Sequence, residues 1–217
     1  MTLDELISPI HGRLGVLERS GDQRVTIADL TDDSRKVGPG SLFVAVQGER
    51  VDGHQFLDPV VAAGAAAVVV QRSGDVGAIS CVRVQDSRAA LGILGSRFYG
   101  DPSSSLRMIG VTGTNGKTTT TYVVKTMLEA ARRRVGLIGT VAYLVGKESI
   151  PASHTTPGAL ELQKLFARMR EARLDTVVME VSSHALALDR TAGSEFDVAV
   201  FTNLTQDHLD FHLDMER

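Results

Sequence analysis

A glycine-rich segment containing a lysine and two threonines is the strongest chemical feature of the sequence. Residues 113–119 read Gly-Thr-Asn-Gly-Lys-Thr-Thr and lie between an apolar run that predicts a strand, 106–111, and an amphipathic run that predicts a helix, 117–134. Glycines allow backbone N–H groups to surround a polyphosphate, and the N-terminus of the following helix adds partial positive charge. The pattern predicts a nucleotide site formed by Gly113, Thr114, Asn115, Gly116, Lys117, Thr118 and Thr119.

Lys117 and Thr118 have separate predicted roles in this segment. The Lys117 ammonium would bridge the β- and γ-phosphates, and the Thr118 hydroxyl would hold Mg²⁺. The strict phosphate-loop pattern has a glycine where this chain has Val111, so the segment is a variant. The alternative is a simple turn before a helix, with Lys117 in solvent. The strand–loop–helix context favours nucleotide binding.

A glutamate lies at the end of another predicted strand, 176–181. Ligands of open α/β sheets bind beside the carboxyl ends of the strands, and Glu180 is placed there. An isolated glutamate at a strand end usually faces water. Because the nucleotide segment requires a metal ion close by, we interpret Glu180 as a residue that coordinates or organises Mg²⁺.

Polar residues also follow the predicted strand 197–203. A histidine can ligate a metal ion or, as the neutral imidazole, orient an ion bound to phosphate. We interpret Asn203 as part of the nucleotide site and His208 as a metal-site residue, and we expect Asp210 and His212 to be solvated. The predicted catalytic residues are Lys117, Glu180 and His208, and the predicted metal residues are Thr118, Glu180 and His208.

The turn and serine run at 99–105 predicts a boundary between two domains, 1–102 and 103–217. In the first, strands are predicted over 41–46, 67–70 and 81–84, and helices over 56–64 and 87–98. In the second, strands are predicted over 106–111, 135–140, 176–181 and 197–203, and helices over 117–134 and from Pro157 onward. Helical spacing predicts one apolar stripe for each of these helices: Val124, Met127, Leu128 and Ala131 for the first, and Leu162, Leu165, Phe166 and Met169 for the second. This alternation predicts a parallel sheet covered on both faces. Four strands are few for such a sheet, so we expect the chain to be part of a longer protein.

Composition excludes several classes of protein. With 217 residues, 43% hydrophobic and 23% charged, the chain is typical of a soluble globular protein. A net charge of −3 argues against a nucleic-acid-binding surface, and the single cysteine, Cys81, excludes an internal disulfide and a cysteine zinc site. The start has no secretory signal pattern, and the longest apolar run, 60–70, is too short to span a bilayer. We expect a cytoplasmic monomer that binds neither nucleic acid nor a membrane.

Three motifs together resemble the central ATPase domain of the Mur ligases of peptidoglycan synthesis. They are the segment 113–119, Met-Glu-Val-Ser-Ser-His at 179–184, and Phe-Thr-Asn-Leu-Thr-Gln-Asp-His-Leu-Asp-Phe-His at 201–212. His-Thr-Thr-Pro-Gly at 154–158 and Ser-Ser-His at 182–184 resemble the motifs of the branch that adds the third peptide residue. The segments 31–46 and 48–54 resemble the family's uridine-binding segment. The resemblance implies a small α/β uridine-binding domain followed by an incomplete P-loop parallel-sheet ATPase domain.

The resemblance also implies substrates and further site residues. The activity implied is ATP- and Mg²⁺-dependent ligation of a diamino acid, meso-diaminopimelate in preference to L-lysine, to UDP-N-acetylmuramoyl-L-alanyl-D-glutamate through an acyl phosphate. The residues implied for the uridine diphosphate end are Ser34, Glu49, Arg50 and Val51. Those implied for the muramoyl-dipeptide are Thr155, Thr156, Ser182 and Arg190. Leu188 stands where some relatives have a glutamine that contacts substrate. A carbamylated lysine and the carboxy-terminal domain of the family lie beyond Arg217, so we expect the chain alone to be inactive.

Alternative functions remain open at this point. Another Mur ligase or a folylpolyglutamate synthetase would share the segment 113–119 but lack the uridine segment. A GTPase would need an Asn-Lys-x-Asp motif to select guanine, and the sequence lacks one. A kinase would need residues that bind the molecule accepting the phosphate. The chain by itself would also fit a non-catalytic module that binds a UDP-sugar. Arg35 fits either a phosphate contact or an ion pair with Asp32 or Asp33.

Overall fold

The chain divides into two units, each built on its own sheet. In the computed structural model, which describes residues 1–48, 51–72 and 76–214, the compact units are Met1–Phe98 and Tyr99–Arg217. Both units are α/β and most neighbouring strands run parallel, which confirms the predicted fold class.

The first unit contains five strands. They are β1 (Val16–Ser20), β2 (Asp29–Thr31), β3 (Ser41–Val44), β4 (Ala67–Val70) and β5 (Ser80–Val84), in the order β1-β5-β4-β3-β2. The helices are α1 (Leu3–Ile7), α2 (His11–Leu14), α3 (Leu57–Ala62) and α4 (Ser87–Phe98), with 3₁₀ turns at Ser8–Ile10, Ser34–Lys36 and Gly53–Phe56. Only β1 is antiparallel to its neighbour among these described strands.

Burial in this unit follows the position of each strand. Every residue of β3 and β4 is buried, as expected for central parallel strands covered on both faces. Cys81 belongs to the same core, and burial raises the pKa of its thiol. The helix predicted over 56–64 is present as the shorter α3, Leu57–Ala62, which follows the 3₁₀ turn Gly53–Phe56. The strand predicted over 41–46 ends at Val44. The sequence did not predict the three-residue β2, because so short a strand shows no periodicity.

The second unit contains six strands. They are β6 (Arg107–Thr112), β7 (Val135–Ile138), β8 (Ala142–Val145), β9 (Glu148–Pro151), β10 (Thr176–Glu180) and β11 (Val198–Phe201), in the order β11-β6-β10-β7-β8-β9. The helices are α5 (Lys117–Ala130), α6 (Ala159–Glu171), α7 (Ser183–Ala187) and α8 (Leu209–His212), with a 3₁₀ turn at Pro102–Ser105. The strands β11, β6, β10 and β7 are parallel, and β8 and β9 extend the sheet as an antiparallel hairpin.

Helices cover both faces of this sheet, as predicted. The α6 stripe predicted from the sequence is buried at each position: Leu162, Leu165, Phe166 and Met169. On the other face, Val124 and Leu128 of α5 pack against a cluster that includes Val111 and Val178. Met127, which the spacing placed on the same apolar stripe, is 67% exposed, so that prediction was wrong.

The ends of two helices differ from the predictions for local reasons. The helix predicted over 117–134 ends at Ala130, because Arg132 takes a left-handed conformation at φ 61°. The Arg133 N–H then bonds the Leu128 carbonyl at 3.0 Å, which is how a helix of this kind is closed. The helix α6 begins at Ala159, after Gly158 in extended geometry, and not at Pro157. Among the described residues, no helix is long and apolar enough to cross a bilayer.

Candidate active site

Four parallel strands of the second unit end at one edge of the sheet, and the predicted site residues follow them. The central strand β10 lies between β6 and β7, and β11 pairs with the other side of β6. The register pairs Glu180 with Val111 and Phe201 with Thr112, so the carboxyl ends of β10, β6 and β11 are level. This edge is where open α/β sheets bind their ligands.

The loop after β6 is held against the segment after β11. A Cβ at Gly113, where φ is +127°, would lie 2.2 Å from Thr202 Oγ1 and 2.7 Å from the Asn203 carbonyl oxygen. Only glycine permits this approach. The Asn203 carbonyl accepts the Thr114 N–H at 2.9 Å. The Asn203 side chain bonds the backbone of Asn115 twice, accepting its N–H at 3.0 Å and donating to its carbonyl at 3.0 Å. Asn203 therefore shapes the loop.

The helix α5 begins directly after this loop and presents its amides there. Gly116 is the residue before the helix and has a left-handed conformation at φ 86°. Within the described part of the chain, no side chain caps this end. The first-turn N–H groups of Lys117, Thr118 and Thr119 lack partners inside the helix, and an anion can satisfy them.

Lys117 adds a full positive charge at the same place. Its Nζ donates to the carbonyl of Gly113 at 2.6 Å and to the carbonyl of Thr114 at 2.8 Å. The ammonium group therefore lies against the loop, close to the N-terminus of α5. Backbone amides, the helix dipole and one ammonium together favour a polyphosphate anion.

Glu180 is a buried carboxylate surrounded by neutral donors. Its side chain accepts from Thr118 Oγ1 at 2.9 Å, from the Thr140 N–H at 3.0 Å and from Thr140 Oγ1 at 3.2 Å, and the residue is 1% exposed. A Cβ at Gly139 would lie 2.3 Å from Glu180 Oε1, so the glycine makes room for the carboxylate. A buried carboxylate usually needs a cationic partner.

These groups fit a magnesium ion. The donor set is hard oxygen, from one carboxylate and a threonine hydroxyl, and Mg²⁺ commonly takes one or two carboxylates and completes its shell with water and phosphate oxygens. The described residues include no group of three or more His, Cys, Asp or Glu side chains able to hold a metal. A metal here would therefore rest mainly on Glu180 and Thr118.

His208 lines a cavity beside the loop. The cavity measures about 370 Å³, and its lining includes Gly113, Lys117, Leu186 and Leu204. His208 Nε2 lies 3.6 Å from Asp207 Oδ2, and its ring stacks edge-on against His184 with centroids 4.6 Å apart. His208 thus lines the same cavity as Gly113, Thr114 and Lys117, and its role at the metal stays a prediction.

His212 is half-buried and lines this cavity, whereas the sequence predicts a solvated side chain. Its Nε2 lies 2.9 Å from Ser183 Oγ, and its ring is 4.9 Å from that of Phe211. The side chain of Asp210 lies outside the described part of the structure.

The residues implied for the muramoyl-dipeptide surround the end of β10. Thr155 Oγ1 lies 3.1 Å from Thr140 Oγ1. Thr156 is fully buried, and its hydroxyl donates to the Glu180 carbonyl at 2.9 Å and accepts the Ser182 N–H at 3.0 Å. The Ser182 hydroxyl caps α7 by accepting the Ala185 N–H.

Arg190 is fixed beside these residues. Its Nη1 donates to the Thr156 carbonyl at 3.0 Å. Thr156 therefore connects the end of β10 to Arg190 through both its hydroxyl and its backbone, a structural role that the motif alone did not indicate.

In the first unit, Ser34 and Val51 line one cavity of about 670 Å³. Glu49 and Arg50 lie outside the described residues. Arg35, for which the sequence left two alternatives, pairs with Asp33 through Nε at 2.8 Å and Nη2 at 2.9 Å. This hydrogen bonding lowers the pKa of Asp33 to about 2.

Sequence reasoning missed Thr140 and Thr202. Thr140 follows β7 at the same sheet edge as Glu180, so the strand-end rule that identified Glu180 would have identified it as well. Thr202 donates to the Asn115 carbonyl at 2.8 Å, across 87 positions of sequence. No local pattern signals such a contact.

Two family models match the chain. The model described as "Mur ligase family, catalytic domain" matches residues 26–99, and "Mur ligase middle domain" matches residues 111–217. The first match covers most of the first unit, and the second covers most of the second unit.

Curated relatives match nearly the whole chain. A protein of Alkaliphilus metalliredigens named UDP-N-acetylmuramoyl-L-alanyl-D-glutamate--2,6-diaminopimelate ligase is 48% identical over 213 residues, which are 98% of this chain and 42% of that protein. A protein of the same name from Geobacillus thermodenitrificans is 48% identical over 216 residues, 100% of this chain and 43% of that protein. The chain thus spans about two fifths of the length of these relatives.

Solved structures have the same fold. One described as UDP-N-acetylmuramoyl-L-alanyl-D-glutamate--2,6-diaminopimelate ligase has a TM-score of 0.82 at 27% identity and covers 100% of this chain and 42% of its own. MurF ligase from Thermotoga maritima in complex with ADP has a TM-score of 0.59 at 26% identity, covering 88% of this chain and 40% of its own. Sequence and structure agree, and the chain belongs to the Mur ligase family.

Proposed function

We propose that this chain supplies the ATP-binding and UDP-binding parts of a ligase that joins meso-diaminopimelate to UDP-N-acetylmuramoyl-L-alanyl-D-glutamate. One observation carries the proposal. A continuous series of hydrogen bonds runs from Thr118 through Glu180 and Thr140 to Thr155, with distances of 2.9, 3.2 and 3.1 Å. It joins the nucleotide loop to a residue assigned to the muramoyl-dipeptide.

The proposed reaction requires the two substrates to meet at that place. The D-glutamyl carboxylate attacks the γ-phosphorus of ATP and ADP leaves, which gives an acyl phosphate. The amine of the diamino acid then attacks the acyl carbon, and phosphate leaves as the amide forms. Phosphoryl transfer of this type depends mainly on positioning and charge neutralisation.

The residues of the chain supply those two effects. Amides of the loop and of the first turn of α5 bind phosphate oxygens, and the Lys117 ammonium neutralises charge on the transferred group. Thr118, Glu180 and His208 are the residues we assign to Mg²⁺, which neutralises the developing phosphate charge when bound. Thr155, Thr156, Ser182 and Arg190 orient the dipeptide.

We assign the uridine diphosphate end to the cavity of the first unit. Ser34 and Val51 line it, and we keep Glu49 and Arg50 as further contacts. We assign meso-diaminopimelate as the added amino acid, which the names of the relatives support. We further propose that the protein acts as a monomer in the cytoplasm, where ATP is available.

A ligation assay tests the proposal. The protein that carries this chain is incubated with ATP, Mg²⁺ and UDP-N-acetylmuramoyl-L-alanyl-D-glutamate, with either meso-diaminopimelate or L-lysine, and the amide product is measured by mass spectrometry. We expect product with meso-diaminopimelate and none from residues 1–217 alone. Product from a folate substrate and glutamate, with no UDP binding by the chain, would instead support a folylpolyglutamate-type ligase.

A variant pair separates the proposed hydrogen-bond series from general stability. Thr140→Val removes the hydroxyl that connects Glu180 to Thr155. Thr126→Val removes a hydroxyl that only bonds the Tyr122 carbonyl within α5. We expect the first to lower kcat/KM about tenfold and the second to leave it unchanged. Equal activity of the two variants would contradict the proposal.

A further inference from the structure

His54 belongs to a polar network next to the cavity that Gly48, Val51 and Gly53 line. Its Nδ1 is 2.6 Å from Asp52 Oδ1, and its Nε2 accepts the Gln71 N–H at 3.0 Å. The His54 side chain is 13% exposed. Gln71 directly follows β4, so the ring joins the cavity wall to the end of a central strand.

The partners of the two ring nitrogens fix their roles. The Gln71 N–H can only donate, so His54 Nε2 carries no proton. The proton is therefore on Nδ1, which donates to Asp52 Oδ1. This short contact is the main reason why the pKa of the Asp52 carboxyl lies below its usual value. The His54 imidazole is held as a single neutral tautomer.

Asp52 connects His54 to the residues near the cavity. Its carboxylate also accepts the His54 N–H at 3.1 Å and Arg72 Nη1 at 3.0 Å, and its backbone pairs with Gln47 in a β-bridge. The second nitrogen of the Arg72 guanidinium, Nη2, donates to Gln47 Oε1 at 2.5 Å.

Gly48 and Val51 are also bonded to each other. The Gly48 N–H bonds the Val51 carbonyl at 3.0 Å. The positions of Gly48 and Val51 therefore follow from Asp52 and Gln47, and those two depend on His54 and Arg72.

We propose that His54 is a positioning residue for nucleotide binding in the first unit: its imidazole, between Asp52 and the Gln71 amide, holds Gly48 and Val51 in place to receive a nucleoside diphosphate. The proposal rests on the proposed function, which assigns the uridine diphosphate end to this cavity. The family resemblance includes Asp52 and His54 in the segment 48–54, but within that segment it assigns substrate contacts only to residues 49–51, and it does not include Gln71.

Nitrogen-15 NMR of histidine-labelled protein tests the tautomer directly. We expect the His54 ring to show a protonated Nδ1 and an unprotonated Nε2 at neutral pH, with the Nδ1 proton shifted downfield by the Asp52 contact. A ring protonated at Nε2, or one that exchanges between both tautomers, would overturn the proposal without any variant.

Calorimetric titration with UDP tests the positioning role. We expect His54→Ala to raise the Kd for UDP about tenfold, the effect of losing roughly one hydrogen bond to a charged group. His54→Asn, which keeps a donor for Asp52, should recover part of the affinity. His11→Ala, an exposed histidine of the same unit, is the control and should bind as the wild type does.

The outcomes separate the two proposals. If the wild-type chain does not bind UDP, the uridine assignment fails and this inference fails with it. If the wild type binds and His54→Ala has a lower Tm but the same Kd, His54 is structural only and the positioning role alone is overturned. In the ligation assay, the positioning role predicts a higher KM for the UDP-linked substrate and a kcat changed by less than about twofold.

Discussion

Gly113→Ala is the substitution that tests the shape of the nucleotide loop most severely. The added Cβ would lie 2.2 Å from Thr202 Oγ1, 2.7 Å from the Asn203 carbonyl oxygen and 2.9 Å from the Asn203 nitrogen. Two of these atoms belong to the backbone and cannot rotate away. The segment after β11 must therefore move by about 1 Å to regain van der Waals distance.

The cost follows from the hydrogen bonds that this movement breaks. They are Thr202 Oγ1 to the Asn115 carbonyl at 2.8 Å, the Thr114 N–H to the Asn203 carbonyl at 2.9 Å, and the Asn115 N–H to Asn203 Oδ1 at 3.0 Å. Each contributes about 1 kcal/mol net, and a residue other than glycine at this φ adds about 1–3 kcal/mol of strain. We expect a loss of about 4–6 kcal/mol in the free energy of unfolding.

Urea unfolding and calorimetric titration with Mg·ATP check this prediction. Gly158→Ala is the control, since nothing lies within 4 Å of a Cβ there, and it should cost about 1 kcal/mol at most. Gly113→Ala should also abolish measurable ATP binding. A Gly113→Ala variant with wild-type stability and ATP affinity would refute the described contact between the loop and the segment after β11.

Three further predictions concern the charged groups of both units. Glu180→Gln should change the free energy of unfolding by less than about 1 kcal/mol without Mg²⁺, because it removes a buried charge that has only neutral donors. The same variant should lose the gain in ATP affinity that Mg²⁺ gives, measured by titration with and without EDTA. A Mg²⁺ effect that survives in this variant would contradict the metal assignment. Arg35→Ala should raise the pKa of Asp33 from about 2 toward 3.8, as followed by carbon-13 NMR of the carboxyl. The pKa of Asp33 is lower in the folded chain than in the unfolded chain, so the Arg35–Asp33 pair should stabilise the wild type above about pH 4. This stabilisation should be lost as the pH falls toward 2, and Arg35→Ala should not show that loss.

The sequence was sufficient to predict the parallel core and the position of the glycine-rich loop between β6 and α5. Apolar runs of four to six residues predicted β6, β7 and β10, and the 3.6-residue period of α6 predicted its buried face. Both patterns lie within a single stretch of sequence. A strand that is buried on both faces must be apolar at every position, and a helix that is buried on one face must have an apolar stripe.

The hairpin of β8 and β9 was missed although its turn has a recognisable signal. Gly146 has a positive φ of 62° between the two strands, and glycine at the first position of a two-residue turn is typical of one class of hairpin. The run over 142–145 was too short to be identified by period alone, so the predicted sheet contained four strands where the described residues form six.

The contacts that complete the site were not predictable from the sequence. Thr202 and Asn115 are 87 positions apart, and they meet only because β11 pairs with β6 in a register that sets Phe201 beside Thr112. Register of this kind depends on how the whole sheet packs, so the motifs identified the loop and Asn203 but not the hydrogen bonds that join the two segments.

Titration of the nitrogen-15-labelled chain with Mg·ATP tests the central claim most directly, because it locates the bound triphosphate on individual backbone amides. We predict saturable shifts that are largest at the amides of Gly116, Lys117 and Thr118, that disappear in Lys117→Ala, and that persist in Lys164→Ala, a variant of an exposed lysine on α6. Saturable shifts that leave the amides of residues 113–118 unchanged, or equal binding by the two lysine variants, would contradict the account.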